Sequence, residues 1–222
     1  MKMITTVGVG LLLIFACIGS VRGQQVSLGV RGGFSGTTAA WDGEEPITMD
    51  WNSDFHIGGL VKADLHELFA IQLEAWYARK GTGAEFTDAD AVADYSVAYL
   101  EVPLLAKLRI PTGSAVRVSP HLFAGPAVAF ELSCNISGIV MGIPLDDDCE
   151  APGIGIERKT TDVSLLFGGG LEIQMGPGAV MLDALYDLGL RNLNDDPELP
   201  DDAVKNRVFM VSVGYVVPIG GR

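Results

Sequence analysis

Charged side chains in this chain keep to one parity. In the stretch AYLEVPLLAKLRIPTG, residues 98–113, the charges Glu101, Lys107 and Arg109 all fall at odd positions. The even positions Leu100, Val102, Leu104, Ala106, Leu108 and Ile110 carry no polar side-chain atom. Cations and carboxylates that share a face away from water must pair, because each one left alone costs on the order of several kcal/mol. The same segregation recurs along the chain, with Arg31, Lys62, Asp64, Glu74, Arg117, Glu131, Glu172, Asp183 and Asp187 opposite runs of apolar residues. The chemistry expected of this set is a packed network of ion pairs and hydrogen bonds. A proton- or ion-conducting path is the alternative. Within the network Lys107 is expected to pair with Glu74 or Glu172.

Other candidates are sparse. Of the three histidines, His56 follows Ser53 and Asp54, which together could supply a base and a nucleophile at a rim. His66 sits in a turn and His121 points to the charged face. The acidic stretches LDDDCE (145–150) and NDDPELPDD (194–202) offer oxygen ligands, but neither has the spacing of a known calcium loop. They read as solvated loops. FGGGLE and VGVG lack the Lys-Ser/Thr of a phosphate loop. Cys134 and Cys149 have no metal-ligand spacing around them and, in an exported chain, are expected to form a disulfide within the longest loop. No catalytic, cofactor or metal site is assigned.

The element that sorts side chains at period two is a strand. Eight segments alternate in this way, around residues 26–34, 55–63, 69–77, 100–110, 116–130, 163–173, 180–188 and 209–217. Their apolar faces contain no charge. An apolar face turned outward and a charged face turned inward is the arrangement of a transmembrane barrel, and closure satisfies every backbone group. A soluble lipocalin-like barrel would turn the charge-free face inward around a ligand. Connections of two kinds alternate: LHEL, PTGSA and MGPG are short, whereas TTAAWDGEEPITMD, GTGAEFTDADAVAD, residues 133–160 and NLNDDPELPDDAVK are long and acidic. Periplasmic turns and extracellular loops differ in this way. Trp41, Trp51, Tyr77, Tyr95 and Tyr186 lie near the long-loop ends, where an interfacial girdle would stand.

The 222 residues fit one such barrel, and 15 basic against 28 acidic residues exclude a nucleic-acid binder. Lys2, an apolar run over 4–18 and the site Val21-Arg22-Gly23 read as an export signal over residues 1–23, with the barrel over 24–222. The apolar run is too short for a stable span, and IFAC is a poor lipoprotein site at Cys17. Removal of the signal leaves 13 basic and 28 acidic residues.

QVSLGVRGGFS, YLEVPLLAKLRI and the closing FMVSVGYVVPI resemble the porin-family β-barrel domain of Bacteroidetes-type outer membranes, a group that includes PorT-like proteins. The resemblance spans roughly residues 25–219 and implies the eight-stranded antiparallel up-and-down plan of OmpA/OmpX-type barrels. Such barrels commonly end on an aromatic residue, whereas this chain ends VPIGGR with Tyr215 its last aromatic. The expected role is structural or interactive: membrane integrity, adhesion or docking of a surface or secretion partner, by a monomer in outer-membrane lipid. A narrow channel and a rim enzyme are the alternatives within that fold.

Overall fold

The structure, a computed structural model, describes residues 25–42, 48–86, 91–112, 117–140, 143–151, 158–195 and 203–219. The expected export signal, the VGVG within it, most of the acidic stretch 194–202 and the last three residues lie outside these. Every regular element among the described residues is a strand. They are β1 (Gln25–Asp42), β2 (Thr48–Asp50), β3 (Asn52–Asp64), β4 (Phe69–Phe86), β5 (Ala91–Arg109), β6 (Val118–Val140), β7 (Ile143–Asp148), β8 (Thr161–Met175), β9 (Gly178–Gly189) and β10 (Ala203–Ile219).

Eight of them close a ring. β1, β3, β4, β5, β6, β8, β9 and β10 pair antiparallel in that order, and β10 pairs back onto β1. The register fixes how the sheet closes. From Gln25 the ladder steps to Asp64, Ala70, Lys107, Phe123, Gly168, Leu185 and Met210, and returns to β1 at Ser35, ten residues further along. That stagger tilts the strands and sets a lumen wide enough only for side chains.

The short strands β2 and β7 pair with β4 and β6 beyond the ring. Three of the expected long loops are thereby corrected, and in TTAAWDGEEPITMD residues 37–42 continue β1 while 48–50 form β2. β4 and β5 continue as a hairpin to Phe86↔Ala91, through the segment 81–94 expected as a loop. β6 runs on to Val140, and β7 folds back along it, Asn135↔Asp148. The physical reason is that strand pairing needs only backbone hydrogen bonds. Above the membrane neither face must be apolar, so the alternation fades while the ladder persists.

At the other end the turns are tight. β8 and β9 meet at Gly176-Pro177, where Gly176 has φ 63°, the left-handed conformation that a Gly-first hairpin turn requires. At the β3–β4 turn, His66 Nδ1 accepts a hydrogen bond from the Leu68 amide at 3.3 Å.

The side chains expected on the apolar face are outside. Phe34, Ile57, Leu104, Leu122, Phe130, Phe167, Leu182, Phe209 and Val213 are all exposed, Phe34 to 74%. In water such a surface would drive aggregation, so the surrounding solvent is hydrocarbon. This rules out the lipocalin-like reading. Tyr77 packs on Phe55 and Tyr186 on Phe167, with ring centroids 5.9 and 5.6 Å apart, toward the long-strand end. Trp51 is exposed there as well. Tyr95 is a correction: it packs inward against the cluster of Val97, Tyr99, Ala129, Cys134 and Cys149. The side chain of Trp41 lies outside the described set.

Candidate functional site: the packed lumen

The inward side chains form three tiers. On β4 the inward sequence is Gln72, Glu74, Trp76, Ala78, Lys80, all buried. Trp76 therefore separates charges above and below it. The same happens on β5, where Leu105 lies between Lys107 and Glu101, on β8 between Glu172 and Asp162 at Leu166, and on β9 between Asp183 and Asp187 at Leu185. Trp76, Leu105, Phe123, Ala127, Leu166, Leu185, Val208 and Met210 join into one apolar cluster inside the barrel.

The tier toward the short turns is charge-balanced. Arg31 Nη1 donates to Glu74 Oε1 at 2.8 Å, and its Nη2 lies 3.3 Å from Asp183 Oδ2 and also donates to Ser212. His121 Nε2 is 2.8 Å from Asp183 Oδ1. Lys62 Nζ reaches both oxygens of Glu172, at 2.9 and 2.8 Å, across the lumen. Arg109 pairs with Asp64 at the half-buried lower rim. Gly170 faces Asp183; a Cβ there would stand 2.1 Å from Asp183 Oδ1, so the FGGGLE glycine makes room for an ion-pair partner.

Lys107 departs from expectation. Its Nζ donates to the neutral Gln72 Oε1 at 3.2 Å and touches Met181 Sδ at 3.6 Å. Glu74 and Glu172, its expected partners, are held by Arg31 and Lys62. Gln72 bridges the two systems, since its Nε2 donates to Glu74. Arg117 is exposed just before β6, outside the network.

The tier toward the long-strand end was only half legible. Glu101 and Asp187 converge on Lys80 Nζ at 2.9 and 2.6 Å, and Asp162 Oδ2 stands 4.0 Å away. Lys80 and Asp162 sit just past the ends of the apolar alternation on their strands, the one signal that would have found them. Asn206 Nδ2 donates to Asp162 Oδ2 at 2.8 Å. Above them Arg158 Nε donates to Glu131 Oε2 at 3.0 Å, capping the mouth.

Ser53, Asp54 and His56 do not assemble. Alternation turns Ser53 outward, while His56 is buried edge-on against Trp76 at 5.4 Å between ring centroids. Asp54 faces Arg79 at 3.6 Å. Cys134 and Cys149 are disulfide-bonded, with Cα atoms 5.5 Å apart, and tie β6 to the end of β7. The acids Asp146, Asp147 and Asp148 are exposed along β7.

Seven of the eight strands of this ring, apolar outside and charged within, lie in the part of the chain that a known family model matches, residues 22–195. The chain belongs to the outer membrane protein beta-barrel domain family. The matched region ends before β10, the strand that closes the ring. Similar solved structures are outer-membrane barrels. OprG of Pseudomonas aeruginosa aligns at a TM-score of 0.51 and 12% identity, over 86% of this chain and 95% of its own. Neisserial surface protein A aligns at 0.47 and 14%, over 86% and 97%. Ail, the attachment invasion locus protein of Yersinia pestis, aligns at 0.44 and 18%, over 86% and 97%. At these identities the likeness shows the fold alone. No curated protein matches the chain by sequence. The family places this barrel in the outer membrane, in contact with its lipid.

Proposed function

We propose that this barrel is a closed, non-enzymatic membrane scaffold, monomeric, whose work is done by its outer strands: membrane integrity, adhesion or docking of a partner. The observation that carries the reading is the apolar middle tier. Trp76, Leu105, Leu166, Leu185 and Met210 fill the lumen between two sets of buried charges. An ion crossing that layer would lose its water among hydrocarbon side chains, the His56 ring against Trp76 being the polar exception. Orientation follows the general plan of such barrels, with tight turns in the periplasm and the extended β4–β5 and β6–β7 hairpins outside. The acidic edge of β7, Asp146 to Asp148, would then face the surroundings. Against a rim enzyme stand the burial of His56 on the face opposite Ser53 and the pairing of Asp54 with Arg79.

Planar-bilayer recording of the refolded chain tests closure, and no stable large conductance is expected. Persistent openings of general-porin size would overturn the reading in favour of the channel. Crosslinking on intact cells tests the interactive half. A specific crosslinked partner should be lost in the variant Asp146→Asn/Asp147→Asn/Asp148→Asn while the amount of folded barrel stays the same.

A further inference from the structure

The two charged tiers differ in balance. In the lower one Arg31, Lys62 and Lys107 face Glu74, Glu172 and Asp183, three against three. In the upper one Lys80 alone meets Glu101, Asp162 and Asp187. These four side chains are at most 1% exposed. Among the described residues the walls bring no second cation to them. β5 adds Tyr99, whose ring lies 5.6 Å from Lys80 Nζ, and β10 adds the neutral Asn206. β1 contributes Ser35 and Thr37, and β3 contributes His56. β6 contributes Ala127 and Ala129, with its Glu131 already paired to Arg158. Fully ionised, the cluster would hold two uncompensated negative charges away from water, which buried sites do not sustain.

Hydrogen bonding singles out one member. Asp187 Oδ2 accepts from Lys80, and Asp162 Oδ2 accepts from Asn206. Glu101 is fully buried, and the one polar group near its oxygens among the described residues is Lys80 Nζ, 2.9 Å from Oε2 and shared with Asp187. Oδ1 of Asp187 and Oδ1 of Asp162 are also unpartnered acceptors. Lys80 Nζ already occupies the point where a metal ion would have to sit, so the charge is relieved by a proton.

We propose that the upper lumen is a proton-binding site in which Glu101 is protonated at neutral pH, its O–H available to one of the unpartnered carboxylate oxygens, Asp187 Oδ1 or Asp162 Oδ1. Protonation turns one of the two orphaned Glu101 oxygens into a donor and lowers the excess charge from two to one.

The inference rests on the closed lumen, but its test is separate from conductance. The full chain is refolded in lipid vesicles and compared with Glu101→Gln by infrared spectroscopy at about pH 7. The wild type should show a protonated-carboxyl C=O band that Glu101→Gln lacks and that alkaline titration removes. Asp187→Asn supplies a second reading, because removing one charge should let Glu101 ionise and abolish the band. No band in the wild type, or a band that persists in Glu101→Gln, overturns the proposal. If Glu101→Gln fails to insert, a band that survives in Asp187→Asn overturns it and a lost band supports it. A conducting barrel with the band intact would overturn the closed-lumen reading alone.

Discussion

Two lysines buried to the same degree do different work in this lumen. Lys80 is the sole cation among three carboxylates, whereas Lys107 is held by an amide oxygen and a thioether and lies 5.9 Å from the Phe123 ring. Lys80→Met would strand a buried acidic cluster and should destabilise the barrel by about 3–5 kcal/mol. Lys107→Met keeps the side-chain length, removes a costly buried charge and takes a partner from no carboxylate, so its effect should be clearly smaller. Urea unfolding of both variants in lipid vesicles measures the difference. Equal losses would mean that the two cations are embedded in one undivided network. The parity rule identified Lys107 but not its partner, because partner choice depends on which long side chains reach across the lumen. Lys62, on β3, captures Glu172 on β8, and no spacing in the chain announces that contact.

At the level of the strand, the two faces answer to different solvents. Leu104 is half exposed at mid-strand on the lipid side of β5, among Leu100, Ala106 and Leu108. Leu104→Arg should cost roughly 2–4 kcal/mol for folding into vesicles, the range for a cation at the midplane of a barrel. A harmless Leu104→Arg would reverse the inside and the outside. The outer hairpins obey other rules. Cys134 and Cys149 join β6 to the end of β7 above the ring, and closing such a loop restricts the unfolded chain by about 3 kcal/mol in the entropic model. Because the tie lies beyond the eight-stranded ladder, its reduction should loosen the β6–β7 extension and leave the barrel folded. Limited proteolysis with and without reductant checks this: cleavage near β7 should rise while the protected core fragment stays unchanged. Loss of the core fragment would place the disulfide within the barrel's cooperative unit.

For the molecule as a whole, closure governs behaviour. The ladder returns to β1 with a stagger of ten residues, so among the ring strands no free edge crosses the membrane. Detergent cannot peel such a sheet from one side. Unheated protein in SDS should migrate as a compact species and shift on boiling; identical mobility before and after heating would argue against a closed ring. Interior and exterior are coupled by the same stagger, since it decides which inward residues share a level and therefore stacks charge, hydrocarbon and charge into three tiers.

The chain by itself determined the number of membrane strands, their faces and the sides carrying short and long connections, because period-two alternation is local and a lipid boundary enforces it on every strand. It also determined that Cys134 and Cys149 are close enough in sequence to close one loop. Only the tertiary structure decided that β4, β5 and β6 outrun the membrane, since backbone pairing in water leaves no apolar signature. Only the tertiary structure, too, placed Lys80 and Asp162 with Glu101 and Asp187. Those four residues come from β4, β8, β5 and β9, and it is the closed register that brings four separate strands to one buried point.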